Sequence, residues 1–424
     1  MTVKRNTITP SGEDSTGELY PRLRSDLEPV PLQNERGQMI FGLRDSLGLA
    51  GDILCLPDDL LYILQFFDGR HSGSDIRALY LRRYGTFLLK ERFTAFVEQL
   101  DDNFLLDNDH ADERLQQLTR DFRESDFRPH HCAGQSYPED ADELGTMMEA
   151  FFREVKLPEG VSGRLNPRDL KAALVPHIDL RFGGATCAHA YELMGGEAAA
   201  DLYVILGIGH QGLHHLFSLT GLSFNTPLGL VKTDAELVRR LCEIGGVDYR
   251  SEELKHRFEH SIEFQTLFLK QTLTSDFKIL PILCSFSHTQ LSQNGGESLD
   301  SYRRFVDTLR TVLSEYPGRV FFIASVDFAH VGPRYGDRDS PDPAFLAQVE
   351  RNDRDLIDAL CRADRDAFHD SIARTGDRYR ICGYPALLTL LDLLPGIRGE
   401  LLDYRRAVLD RTRSSVTFAS MLFS

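Results

Sequence analysis

Four side chains able to bind a metal or move a proton stand where an apolar run gives way to a turn: His177, His210, His330 and Cys382. His177 closes Leu174-Val-Pro-His-Ile-Asp179 and leads into a glycine-containing loop, Leu180-Arg-Phe-Gly-Gly184. His210 lies between glycines in Ile208-Gly-His-Gln-Gly212, and Val320–Ser325 runs on into Val326-Asp-Phe-Ala-His330. Cys382 stands in Tyr379-Arg-Ile-Cys-Gly-Tyr-Pro385, just before a helix with Pro385 in its first turn. A fifth position, Glu259-His-Ser-Ile-Glu263, sets His260 at a helix start with Glu263 three residues on. Imidazole and thiolate donors suit Zn, Cu or Fe and suit Mg or Ca poorly. A thiol at a helix N-terminus is expected to have a lowered pKa.

Each residue also has a structural alternative. A lone histidine after a strand is often a capping or core residue, and free cysteine is among the most buried types. Glu263 could complete a cap on the backbone of His260. His71, His110, His214, His215, His256 and His288 read as loop or surface residues. Only the recurrence at strand ends argues for a shared site.

The elements that must position these groups form an α/β alternation from about residue 130 to the C-terminus. Strands are expected at Ala172–Val175, Leu202–Leu206, Ile279–Leu283, Val320–Ser325, Leu402–Val408 and Val416–Leu422. Helices are expected at 138–155, Ala185–Met194, Ala235–Ile244, Ile262–Leu273, Tyr302–Leu313, Pro343–Arg362, Arg365–Thr375 and Tyr384–Leu394. Strands that are apolar throughout imply a sheet covered by helices on both faces. Ligand sites in such sheets sit at the carboxyl ends of parallel strands.

Ahead of this lies a smaller region. Residues 1–35 read as an extended lead-in, 36–108 as a small α+β unit of winged-helix type, and 109–129 as a connecting helix. Three helices are expected, at 60–67, 76–84 and 90–103, the second capped by Ser72-Gly-Ser-Asp75 and ended by Gly85. This unit resembles the PqqD-like winged-helix domains, which implies a peptide ligand; a structural accessory domain is the alternative.

The 424 residues imply two or three domains. A net charge of −16 argues against nucleic acid or an anionic membrane as the main partner. No apolar run approaches the ~20 residues of a membrane helix. The polar N-terminus shows no signal peptide, and seven scattered cysteines without a C-x-x-C pair fit a reducing cytoplasm.

Taken in order, the motifs from about residue 130 to 424 resemble the MEMO family. Cys132-Ala-Gly-Gln-Ser-Tyr137 is similar to its His-Ala-Gly-Ser-Trp-Tyr, Val175-Pro-His177 to its Ala-Pro-His, and Leu206-Gly-Ile-Gly-His210 to its Leu-Gly-Pro-Ser-His. Thr226-Pro-Leu-Gly229, Glu259-His-Ser-Ile-Glu263, Ser325-Val-Asp-Phe-Ala-His330 and Ile381-Cys-Gly383 complete the series. The resemblance implies the fold of class III extradiol (LigB-type) dioxygenases, with His177, His210 and Cys382 as metal ligands. It places His330 where those enzymes keep an acid–base histidine, with Asp327, His260 and Glu263 in the same cleft. It also implies a radical SAM protein and an Ammecr-like protein as partners. The chain departs from the family at Cys132, Asp179 and Gln211, changes that reshape the cleft walls and leave the three ligands in place.

Two functions compete on this evidence. One is a redox enzyme of dioxygenase type on an unassigned substrate, holding Fe or Cu, or else Zn, with His330 titrating near neutral pH. The other is a non-enzymatic module that binds a peptide or protein alongside the radical SAM and Ammecr-like partners.

Overall fold

A computed structural model describes residues 18–33, 39–51, 53–292 and 296–424. The chain divides into two compact units, residues 1–124 and 125–424.

In the first unit, β1 (Leu27–Gln33), β2 (Met39–Asp45) and β3 (Leu54–Leu56) form an antiparallel sheet in that order. Helices α1 (Asp58–Leu64), α2 (Gly73–Tyr84), α3 (Lys90–Asp102) and α4 (Asp109–Arg123) follow. The Ser72 hydroxyl accepts the Asp75 N–H while the Asp75 carboxylate accepts the Ser72 N–H, a reciprocal cap that starts α2. Gly85, in the left-handed region, ends that helix. The apolar stripe Phe93, Phe96, Val97 and Leu100 of α3 is buried together with Ile63 and Ile76. Strand β1 falls wholly within the expected lead-in, residues 1–35. Its Pro29 and Pro31 hide the strand pattern, and both are tolerated because β1 is an edge strand with pairing on one side only.

The second unit opens with α5 (Ala141–Arg153), the short α6 (Val161–Arg164), β4 (Ala172–Val175) and α7 (Leu180–Met194). Next come β5 (Leu202–Ile208), β6 (Phe217–Leu219), α8 (Ala235–Gly245), α9 (His260–Thr272), β7 (Lys278–Cys284) and α10 (Glu297–Ser314). The chain ends with β8 (Val320–Ser325), β9 (His330–Val331), α11 (Pro343–Cys361), α12 (Arg365–Thr375), α13 (Tyr384–Leu393), β10 (Gly399–Val408) and β11 (Ser415–Phe423). The sheet order is β10-β11-β4-β8-β5-β7-β6, with β9 paired to β11.

The sheet is mixed. Strands β4, β8, β5 and β7 run parallel, and β10, β11 and β6 are antiparallel to their neighbours. Alternate residues of one strand enter two different cores. Ala172 and Leu174 join the layer containing α10 and α13, whereas Ala173 and Val175 join the layer of α5, α7 and α9. Helices therefore cover both faces, which is why these strands are apolar without alternation. Among the described residues, no helix is long and apolar enough to cross a membrane.

The expected glycine loop after His177 is instead the first turn of α7, capped by Asp179. Gly183 and Gly184 are there for packing. A Cβ on Gly183 would lie 2.6 Å from Ile178, and one on Gly184 would lie 2.4 Å from the Phe151 ring. Strands β6 and β9, three and two residues long, are too short to show a period.

Candidate metal centre

Strand register builds the floor of the site. Val175 of β4 pairs with Ser325 of β8, so His177 and Asp327 leave adjacent parallel strands at the same step. One oxygen of Asp327 accepts the N–H groups of His177 (3.2 Å) and Ile178 (3.3 Å), which fixes the backbone that presents the imidazole. Both side chains are buried. His177 Nδ1 lies 2.8 Å from the Ser325 carbonyl, an acceptor only, so it carries the proton and Nε2 is left bare. That Nε2 stands 3.6 Å from Cys382 Sγ and 3.6 Å from the Asp327 carboxylate.

His210 extends from β5, the next strand in the sheet. Its Nδ1 is 3.0 Å from Glu259, and its N–H donates to the same carboxylate. Glu259 is the N-cap of α9, and it also accepts the Ser261 N–H and lies 3.3 Å from His260 Nδ1. One buried carboxylate thus orients two imidazoles, which stack with centroids 4.9 Å apart. With side chains 37% and 35% exposed, His210 and His260 form the open rim above a closed floor. Ser261 holds this edge together, its hydroxyl 3.0 Å from the Ile208 N–H.

No strand ends at Cys382. A tight turn with Gly376, Asp377 and Arg380 in the left-handed region delivers it to the start of α13. The Gly383 N–H donates to the Asp327 carbonyl. A Cβ on Gly383 would come within 2.8 Å of that oxygen, so the Cys382 and Asp327 backbones meet at a point where a side chain does not fit. His330 pairs through β9 with Val416, and its Nδ1 is 3.1 Å from the Phe328 carbonyl and 3.2 Å from that of Arg380.

Donor atoms of His177, His210 and Cys382 all lie within 4.8 Å of one another. The same holds for Asp327, His330 and Cys382, and for His210, Glu259 and His260. Six of the seven side chains expected to do chemistry thus share these three neighbouring groups. The seventh, Glu263, is put to a different use. Fully buried in α9, it accepts hydrogen bonds from the Arg128 guanidinium, the Tyr137 hydroxyl and the N–H groups of His131 and Cys132. Nor does it cap His260; Glu259 caps that helix.

The electrostatics revise three expectations. Burial, reinforced by Asp327, pushes the Cys382 thiol well above its usual range, opposite to the expected lowering. Burial lowers His330 to about 4, so it does not titrate near neutrality. The group held near neutrality is Asp327, which burial raises to about 7. Burial and the neighbouring His210 and His260 drive His177 well down, whereas Glu259 overrides burial and raises His210. His256, read as a surface residue, is buried and falls to about 3.

Glu259 and Arg128 escaped the sequence reading. Glu259 offered one signal, a carboxylate directly before a helix that starts with histidine. Arg128 offered none, because its partner lies 135 residues away.

A family model described as Memo-like protein matches residues 128–422. A MEMO1 family protein of Aquifex aeolicus is 30% identical over 386 residues, covering 90% of this chain and 96% of that protein. One of Methanosarcina barkeri is 30% identical over 276 residues, covering 64% and 89% respectively. One of Pyrococcus furiosus is 32% identical over 209 residues, covering 48% and 65%.

Proposed function

The chain belongs to the Memo-like family, and on that footing we propose that it binds one transition metal through His177 Nε2, His210 Nε2 and Cys382 Sγ. The carrying observation is the donor set itself. Three borderline or soft donors converge within 4.8 Å, and each histidine has its other nitrogen occupied by an oxygen acceptor. Such outer partners are what metal-bound histidines require. The set fits Fe, Cu or Zn and not Mg or Ca.

When bound, such a metal supplies Lewis-acid or redox chemistry. The chain's own residues supply the rest. Asp327, with its carboxyl near 7, holds or releases a proton on the oxygen facing His177 Nε2. His330 is neutral at ordinary pH with Nδ1 donating to two carbonyls, which leaves its Nε2 bare to accept a hydrogen bond from a bound group. The closed floor excludes water, and the rim at His210 and His260 leaves one side open to substrate. Kinship with the extradiol dioxygenases is part of this reading. Oxygen activation of their kind does not follow from it, because a thiolate stands where those enzymes keep a carboxylate.

The purified chain is expected to carry about one transition-metal ion, measured as Fe, Cu and Zn by elemental analysis. Outer partners alone command about 10–100-fold in affinity, so removing a ligand in His177→Ala should cost roughly 100-fold or more. Unchanged metal content in His177→Ala removes the proposal.

A second reading is recruitment of a radical SAM or Ammecr-like protein through the first unit, part of which falls within the Aquifex aeolicus match. That match is longer than the whole α/β unit, so it must include part of the first unit. The first unit also exposes Phe87 (79%) and Leu89 (64%), two apolar side chains that such a partner would cover. Co-purification of the full chain with either protein, lost in Phe87→Ser/Leu89→Ser, is the expected result. Capture that is indifferent to that double change counts against this surface.

A further inference from the structure

We propose that Arg380 is a positioning residue, whose left-handed backbone and forked side chain lock His330 with its Nδ1 protonated and its Nε2 bare. The proposal rests on the reading of His330 as a cleft residue that offers a bare Nε2.

Arg380 has φ of 52°, a left-handed conformation that a branched-chain or long side chain adopts only where its surroundings impose it. In this conformation its carbonyl faces the His330 ring, 3.2 Å from Nδ1. Its guanidinium then turns back on the same residue. One arm donates to the His330 carbonyl at 3.2 Å, and the other to the Asp337 carboxylate at 2.6 Å. Asp337 in turn accepts the Gly332 N–H at 2.7 Å, so the ion pair closes on the far side of the His330 segment. The His330 N–H donates to the Tyr379 carbonyl, completing a ring of contacts around one residue.

The turn is braced from its own side as well. The Asp377 carboxylate accepts the Ile381 N–H at 2.9 Å, immediately before Cys382. One side chain therefore couples the segment bearing His330 to the turn bearing Cys382. A planar fork is suited to this, because both of its arms are fixed at once. Nothing in the helix or strand pattern around position 380 requires an arginine there. A glycine would take the same φ without strain.

The test uses the full chain, labelled with nitrogen-15 histidine and stripped of metal. His330→Gln identifies the His330 signals by their loss. In the parent chain the His330 Nδ1 shift is expected in the protonated range and the Nε2 shift in the bare range. Arg380→Gly keeps the backbone conformation accessible and removes the fork. Its two shifts are expected to move toward each other, because the carbonyl at position 380 is no longer held against the ring and the Phe328 carbonyl, 3.1 Å from Nδ1, is left as the one fixed acceptor. Unchanged shifts in Arg380→Gly, or a bare Nδ1 in the parent, overturn the proposal. A fall in thermal stability with the tautomer intact also overturns it, since that is what a merely structural arginine would give. If Arg380→Gly does not fold by circular dichroism, Arg380→Lys is read by the same shifts, because lysine cannot hold both contacts with one ammonium. Absence of metal from the purified chain would sink the metal-binding function and leave the tautomer result standing, since the shifts are read without metal.

Discussion

Glu263→Ala is expected to destabilise the 125–424 unit by about 3–5 kcal/mol, the range for breaking a fully buried ion pair from one side. The Arg128 guanidinium, with no exposed surface, would lose its only carboxylate partner among the described residues. Its remaining hydrogen bonds go to the carbonyls of Pro129, His256 and Glu259, which solvate the charge without neutralising it. The Tyr137 hydroxyl and the N–H groups of His131 and Cys132 would lose their acceptor at the same time. Glu263→Gln should cost less but still weaken the fold, since every group around the carboxylate is a donor and the amide nitrogen would face one of them. Denaturant titration followed by circular dichroism decides the matter. If Glu263 were an acid–base group of the cleft, its removal would leave the unfolding midpoint nearly unchanged. A midpoint within experimental error of the parent therefore sinks the structural role.

That carboxylate also shows where the sequence was legible and where it was not. The four apolar runs Ala172–Val175, Leu202–Leu206, Ile279–Leu283 and Val320–Ser325 could be read because burial on both faces leaves them almost wholly apolar. Their parallel pairing brings His177, His210 and Asp327 together, since β4, β8 and β5 are consecutive in the sheet. The spacing of residues cannot say which side of a helix faces the cleft. Glu259 and Glu263 lie four residues apart in one motif, yet one orients the rim histidines and the other anchors the loop from Arg128 to Tyr137. Protonation was equally hidden. A histidine and a thiol near a turn look reactive in sequence, but burial sets their pKa, and burial is a property of the packed sheet. Gly183 and Gly184 read as a loop in sequence for a related reason, because their partners Ile178 and Phe151 become visible only once the helices pack.

Stability should also depend on pH through an acid outside the three donor groups. Asp353 of α11 is fully buried, its Oδ2 accepting the Tyr404 hydroxyl at 2.8 Å, and burial raises its pKa to about 6. In the unfolded chain an aspartate titrates near its model value of 3.8. Between these values the folded chain holds a proton that the unfolded chain has released. Unfolding there releases a proton, so stability falls as pH rises from about 4 to about 6 and is then level. Two units at about 1.4 kcal/mol each set the size near 3 kcal/mol. Asp353→Asn keeps an acceptor for Tyr404 and carries no charge, so its stability relative to the parent should improve by about that much between pH 4 and pH 7. Carboxylates held low, such as Glu259 and Glu263, act in the opposite sense, losing stability as pH falls. Because they are present in both proteins, they cancel in the difference. A difference that does not change with pH would show that Asp353 is ionised in the folded chain. With Asp353 removed, a smaller loss with rising pH should remain in the metal-stripped chain, because Asp327, Asp377 and His210 are all raised and act in the same sense, the Asp327 window reaching about 7.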